Sequence, residues 1–82
     1  MDLNNKHVII LGAGASGQAA AALAQAHGAD VSVHDARQQI AGMPEGVKLV
    51  PNATVATGEA SRCDLLVLSP GIDGTTDFVK AY

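Results

Sequence analysis

The chain of 82 residues is poor in aromatics, in sulfur and in positive charge. Phe78 and Tyr82 are its only aromatic residues, too few for a base-stacking platform or a large aromatic core. Packing therefore falls to small aliphatics. Cys63 is its one cysteine, which excludes an intrachain disulfide and a thiolate zinc cluster and fits a reducing compartment. Five Lys and Arg stand against eight Asp and Glu, a net charge of -3. The five (Lys6, Arg37, Lys48, Arg62 and Lys80) are scattered, so no cationic stripe tracks a phosphate backbone and no nucleic-acid partner is expected. No apolar run reaches the ~18 residues of a membrane span. The N-terminus carries Asp2 and two asparagines in place of the basic start of a signal peptide. The expectation is a cytoplasmic chain with no membrane partner.

What is abundant is small and apolar. A hydrophobic fraction of 48% describes a chain that folds, and the length suits one small domain. Val8-Ile9-Ile10-Leu11 is a continuous aliphatic run between polar residues and glycine, as in a central parallel strand buried on both faces. Residues 12–17 read as a turn and 18–27 as an alanine-rich helix, with Gly28 placed to cap its C-terminus. The near absence of charge on that helix suits one lying on a sheet and covered again on its outer side. A second strand is predicted at 31–34, ending at Asp35, and a third at 47–50. Between them lies a loop with at most one helical turn at 38–41; a further turn of helix is placed at 58–62. Leu65-Leu66-Val67-Leu68 is the fourth strand, broken by Ser69-Pro70-Gly71. Thr75 or Thr76 then caps a helix through 77–80. The fold class is α/β: a Rossmann-like parallel sheet of order 3-2-1-4, the order that right-handed crossovers favour.

Gly12-Ala13-Gly14-Ala15-Ser16-Gly17 matches G-x-G-x-x-G, directly after a buried strand and opening a helix. Gly12 permits the tight turn, Gly14 leaves room for a pyrophosphate, and Gly17 lets the helix approach the sheet. The free N–H groups of the first helical turn then hold the anion without a lysine, and Ser16 adds a hydroxyl. Asp35, 18 residues past Gly17, lies where dinucleotide folds keep a carboxylate for a nucleoside. Two readings stand: it accepts from a ribose diol of NAD, or from the N3–H of a uracil. Arg37 either lies over a flat base or pairs with Asp35 at the surface. Ser69-Pro70-Gly71, at the end of the fourth strand, borders the switch point where ligands bind, and Gly71 lets one approach the backbone; an ordinary strand-ending turn is the other reading. His7, His27 and His34 show no metal-ligand spacing. No nucleophile elbow, H-E-x-x-H or G-x-x-x-x-G-K-[ST] is present, so no catalytic residue, metal site or cofactor is assigned.

In this order, Val8 through Gly17, then Asp35-Ala36-Arg37, then Asp64 through Ile72 with its Ser-Pro-Gly-Ile ending, the chain resembles the N-terminal domain of the Mur ligases. Within that family it is most similar to the D-glutamate-adding branch. The resemblance implies a domain that holds the UDP part of a UDP-linked substrate, UDP-MurNAc-L-Ala, in peptidoglycan synthesis. Gly14, Ala15, Ser16 and Gly17 would meet the pyrophosphate, Asp35, Ala36 and Arg37 the uracil, and Gly71 would close over it. Ala36 stands where the family often carries a hydroxyl residue. ATP and Mg2+ belong to central and C-terminal domains outside these 82 residues, so this chain alone is not expected to catalyse amide formation. The alternatives are the NAD- or FAD-binding lobe of an oxidoreductase and a stand-alone nucleotide-sensing module. The fourth strand is expected to be an exposed edge through which copies self-associate.

Overall fold

The computed structural model describes residues 3–69 and 74–82. Its elements run β1 (His7–Leu11), α1 (Ala15–Ala26), β2 (Asp30–His34), β3 (Lys48–Val50), α2 (Val55–Glu59), β4 (Leu65–Leu68) and α3 (Asp77–Lys80). The four strands form one sheet of order β3-β2-β1-β4, and every pairing is parallel. The fold class and strand order expected from the sequence are those observed. β1 is central because its unbroken run of Val8, Ile9, Ile10 and Leu11 fills both faces, each residue at most 1% exposed. Val8 and Ile10 pack with Val31 and Val33 against Ala21 and Ala24 of α1. Ile9 and Leu11 face the other way, onto Val79, with Leu66, Phe78 and Tyr82 around them.

The helix boundaries differ from the expected ones, each for a physical reason. α1 begins at Ala15, three residues earlier than predicted, with Gly14 as an extended N-cap. Gly17 is therefore inside the first turn, where its small size matters and its backbone freedom does not. Gly28, at φ +90, ends α1 as expected. α2 covers Val55–Glu59, where a turn at 58–62 was predicted: Thr54 and Thr57 form a reciprocal capping box that starts it, and Gly58 is buried within it. The loop expected between β2 and β3, with at most one helical turn at 38–41, carries none. That segment is irregular and tied to α1 by side chains, Gln18 Nε2 donating to the Ala41 carbonyl at 3.3 Å and Gln25 Nε2 to the Glu45 carbonyl at 2.7 Å. Nor is the outer side of α1 covered by the described residues, since Leu23 is 56% exposed. Thr76 caps α3 as predicted, accepting from the Val79 N–H. β4 is an edge strand, and Leu65 and Leu68 are exposed on it.

No described helix is long and apolar enough to cross a membrane. The C-terminal ends of β1, β2 and β4 and the start of α1 meet at one end of the sheet, and that is where the candidate site lies.

Candidate functional site

The turn between β1 and α1 is fixed by backbone geometry. Gly12 takes φ +101, a left-handed conformation that a side chain would strain. Its N–H donates to the His34 carbonyl at 2.9 Å and its carbonyl accepts from Ser69 Oγ at 3.1 Å, so the turn is held between β2 and β4. A Cβ at Gly17 would run into the Gly12 carbonyl oxygen, whereas one at Gly14 would meet nothing within 4 Å. The space over Gly14 is open. It faces the N-terminus of α1, a helix of 12 residues with no side-chain cap and no acidic residue in its first turn. The first-turn N–H groups have no partner within the helix and carry the positive end of its dipole.

Opposite this turn, β2 delivers Asp35, buried at 8% exposure. Its Oδ2 accepts from the Ala13 N–H at 2.9 Å and from Arg37 Nη2 at 2.8 Å. Its Oδ1 accepts from the Arg37 N–H at 2.8 Å and from Nε at 3.1 Å. Four donors occupy a carboxylate with about four acceptor sites. The Arg37 guanidinium above all, with the backbone N–H groups of Arg37 and Ala13, holds the carboxyl down at about 2 against the opposing effect of burial. Of the two roles open to Arg37, the structure has the pairing with Asp35. That pair lies at the rim: the arginine side chain is 65% exposed, the aspartate side chain 10%.

These parts line one cleft of about 570 Å³, bounded by residues 12–16, by 34–37, and by Ser69 and Phe78. The volume suits a small-molecule site. Of the residues singled out in the sequence, Gly14, Ala15, Ser16, Asp35, Ala36 and Arg37 come together there. Gly17 does not line it; buried beneath the turn, it sets the approach of helix to strand. Gly71 lies outside the described residues.

Outside the glycine motif, Ser69 lines the cleft where its position after β4, beside β1, places it, and His34 and Phe78 line it without an assignment from sequence. His34 lies on the α3 face of β2, its Nδ1 2.7 Å from the Tyr82 hydroxyl and its ring edge-on to that of Tyr82 at 5.2 Å. Burial, with His7 and Lys48 adding to it, pushes its pKa down and so favours the neutral ring. Phe78 reaches the cleft from α3 by tertiary packing, which no local pattern announces.

Comparison with known proteins shows the family of the chain. The family description "Mur ligase MurD-like, N-terminal domain" matches residues 6–82. This chain belongs to that family. It is 36% identical to a UDP-N-acetylmuramoylalanine--D-glutamate ligase of Chromobacterium violaceum, over 100% of the chain and 19% of the relative. It is 40% identical to the like-named protein of Lachnospira eligens, over 100% of the chain and 20% of that relative, and 38% identical to that of Aromatoleum aromaticum, over 87% and 16%. The MurD-like chain thus spans about a fifth of the length of the relatives it matches. Among its described residues, no group of three or more His, Cys, Asp or Glu gathers to hold a metal ion.

Proposed function

We propose that this MurD-like domain binds the uridine diphosphate end of a UDP-linked muramoyl substrate, for a cytoplasmic ATP-dependent ligase that adds D-glutamate in peptidoglycan synthesis. One observation carries the reading: a single cleft joins an uncapped helix N-terminus, with open space over Gly14, to a buried carboxylate at the end of β2. Anionic phosphates suit the first, and a nucleobase N–H suits the second. The name that the relatives carry, UDP-N-acetylmuramoylalanine--D-glutamate ligase, supports uracil over the ribose diol of a dinucleotide.

The diphosphate lies against the first turn of α1, where Ala15 and Ser16 supply N–H groups and Gly14 supplies room. Uracil N3–H donates to Asp35. Since four donors already fill that carboxylate, the base enters by exchange: the exposed guanidinium of Arg37 swings off and can then cover the ring. The Ala13 N–H keeps its bond and holds the carboxylate in place. A few hydrogen bonds of about 0.5–1.5 kcal/mol net, less the cost of immobilising the ligand, put the dissociation constant of this chain nearer ~1 mM than ~1 μM.

Amide-shift titrations with UDP, UMP and NAD test this. UDP is expected to move Ala15, Ser16 and Asp35 most, with UMP weaker at Ala15 and Ser16 for want of its second phosphate. A larger response to NAD transfers the site to a dinucleotide. An unchanged uridine response in Asp35→Ala removes uracil from Asp35.

A further inference from the structure

The sheet face away from α1 is of two kinds. Side chains alternate along each strand, and the register aligns Ile9 with Ser32 and Ser32 with Lys48, then Leu11 with His34 and His34 with Val50. On β1 and β4 this face is apolar and covered by α3. On β2 and β3 it carries Ser32, His34 and Lys48. Parallel strands buried on both faces usually read as aliphatic runs, so the buried Ser32 of the inner strand β2 calls for a reason; Lys48 beside it is an exposed residue of the edge strand β3.

They open into a second cavity, of about 360 Å³, between the sheet and the end of α2, where Arg62 and His7 also line it. The whole chain is acidic, yet no carboxylate lines this cavity. The acids nearby are engaged on its border by His7, whose Nδ1 lies 3.4 Å from Asp30 Oδ2 and whose N–H donates to Asp64 Oδ2 at 2.8 Å. Neither Lys48 nor Arg62 makes an ion pair among the described residues. Arg62 spends one N–H on the Ser61 carbonyl, at 3.3 Å, and keeps the rest. Ser32, only 2% exposed as a residue, lines the same space; no buried side-chain polar atom among the described residues lacks a partner, so its hydroxyl, which bonds to no described residue, is open to the cavity. Two cations without ion pairs and a hydroxyl donor line one space, with the nearest carboxylates at its border and none in its lining.

We infer that this cavity is a second anion site, taking a phosphate group between Lys48 and Arg62 with Ser32 donating from the floor. The guanidinium suits two phosphate oxygens at once, the ammonium acts as a point charge and the hydroxyl fixes the depth. The cavity is roomier than bare phosphate needs, which favours a phosphate monoester carrying a small polar group. This site stands apart from the uridine cleft, although His34 lines both.

The test is an amide-shift titration of the chain with inorganic phosphate and with ribose 5-phosphate, against sodium chloride at matched ionic strength. Saturable shifts are expected at Ser32, Ser61 and Arg62 at millimolar concentrations. Tighter binding of ribose 5-phosphate identifies a monoester, and equal binding identifies free phosphate. The variant K48Q/R62Q, altered only at exposed side chains, is expected to weaken this binding at least tenfold while leaving the UDP shifts at Ala15 and Ser16 unchanged. Ser32→Ala, which removes only an unpaired hydroxyl, should weaken it severalfold. Shifts confined to Ala15 and Ser16, a response equal to that of chloride, or full binding by both variants overturns the proposal.

Discussion

The two walls of the cleft are made of different material. The wall from β1 to α1 is backbone: a glycine at positive φ, a carbonyl held by Ser69 Oγ, and helix N–H groups facing open space. The wall at the end of β2 is side chain, a carboxylate held by a guanidinium and two N–H groups. The first depends on atoms that are missing, since only the lack of Cβ allows it, and it carries no group that titrates. The second depends on charge and responds to pH, to substitution and to any ligand able to replace the arginine. The Ala13 N–H bond to Asp35 joins them, so the titrating wall also braces the fixed one.

The backbone wall is expected to break hardest. Gly17→Val drives a side chain into the Gly12 carbonyl, with the Gly12 carbonyl carbon 3.1 Å and Ser69 Oγ 3.2 Å from the new Cβ. A backbone neighbour cannot rotate away, and a loss of about 2–4 kcal/mol is expected, lowering Tm by more than about 10 °C for a domain of this size. Gly14→Ala meets nothing within 4 Å. Its stability should change by less than about 1 kcal/mol, while the uridine response falls because the methyl takes the phosphates' space. Thermal melts of both variants, read beside UDP titrations, decide the matter. Equal destabilisation would mean that both glycines serve packing alone.

The same contrast explains what was legible in the sequence. The glycine spacing, the buried run at 8–11 and the Asp35 that ends β2 are local patterns with fixed geometric consequences, and they gave the sheet order and both walls of the cleft. Helix starts were less legible. A glycine inside a helix reads locally as a turn, so Gly17 and Gly58 displaced the predicted starts of α1 and α2, although the Thr54–Thr57 capping box was there to be read. The contacts of Phe78 and Tyr82 depend on how α3 packs across the sheet. The choice of Arg37 between base and carboxylate was open in sequence because both readings use the same two residues. The filling of every acceptor site on Asp35 required the position of Ala13, 22 residues away.

The side-chain wall should yield in a graded way. Asp35→Ala removes the acceptor of the Ala13 N–H, itself within a buried turn, and an orphaned donor of that kind costs about 1–3 kcal/mol. In the parent chain the folded carboxyl sits at about 2 against an ordinary 3.8. The folded state therefore favours the ionised form, and its contribution to stability is complete above pH 3.8 and lost as pH falls through about 2. Stability measured by denaturant titration at stepped pH is expected to show this acid limb in the parent and to lack the Asp35 part of it in Asp35→Ala. A limb of equal size in both would leave Asp35 without a role as brace.

The smallest and most specific effect is expected from Arg37→Gln. Arg37 is the largest cause of the low Asp35 value, but its side chain is mostly in solvent, and exposed pairs contribute little to folding. Stability at neutral pH should fall only modestly, because the share of the Asp35 shift that the guanidinium supplies is discounted by its exposure. The carboxyl, left with its backbone donors and with burial acting against ionisation, should titrate closer to 3.8, which the side-chain carbon shift of Asp35 reads directly. Uridine is the sharper probe of the exchange step. Removing the guanidinium lifts the need to displace it, so uracil should reach Asp35 faster, while the loss of a cation over the ring should shorten the stay of the base. Faster association with faster release, at nearly unchanged affinity, is the outcome expected of an arginine that must leave the carboxylate before it can cover the base. An association rate equal to that of the parent would mean that the Asp35–Arg37 pair is no barrier to entry, and that the two walls differ in composition but not in how a ligand meets them.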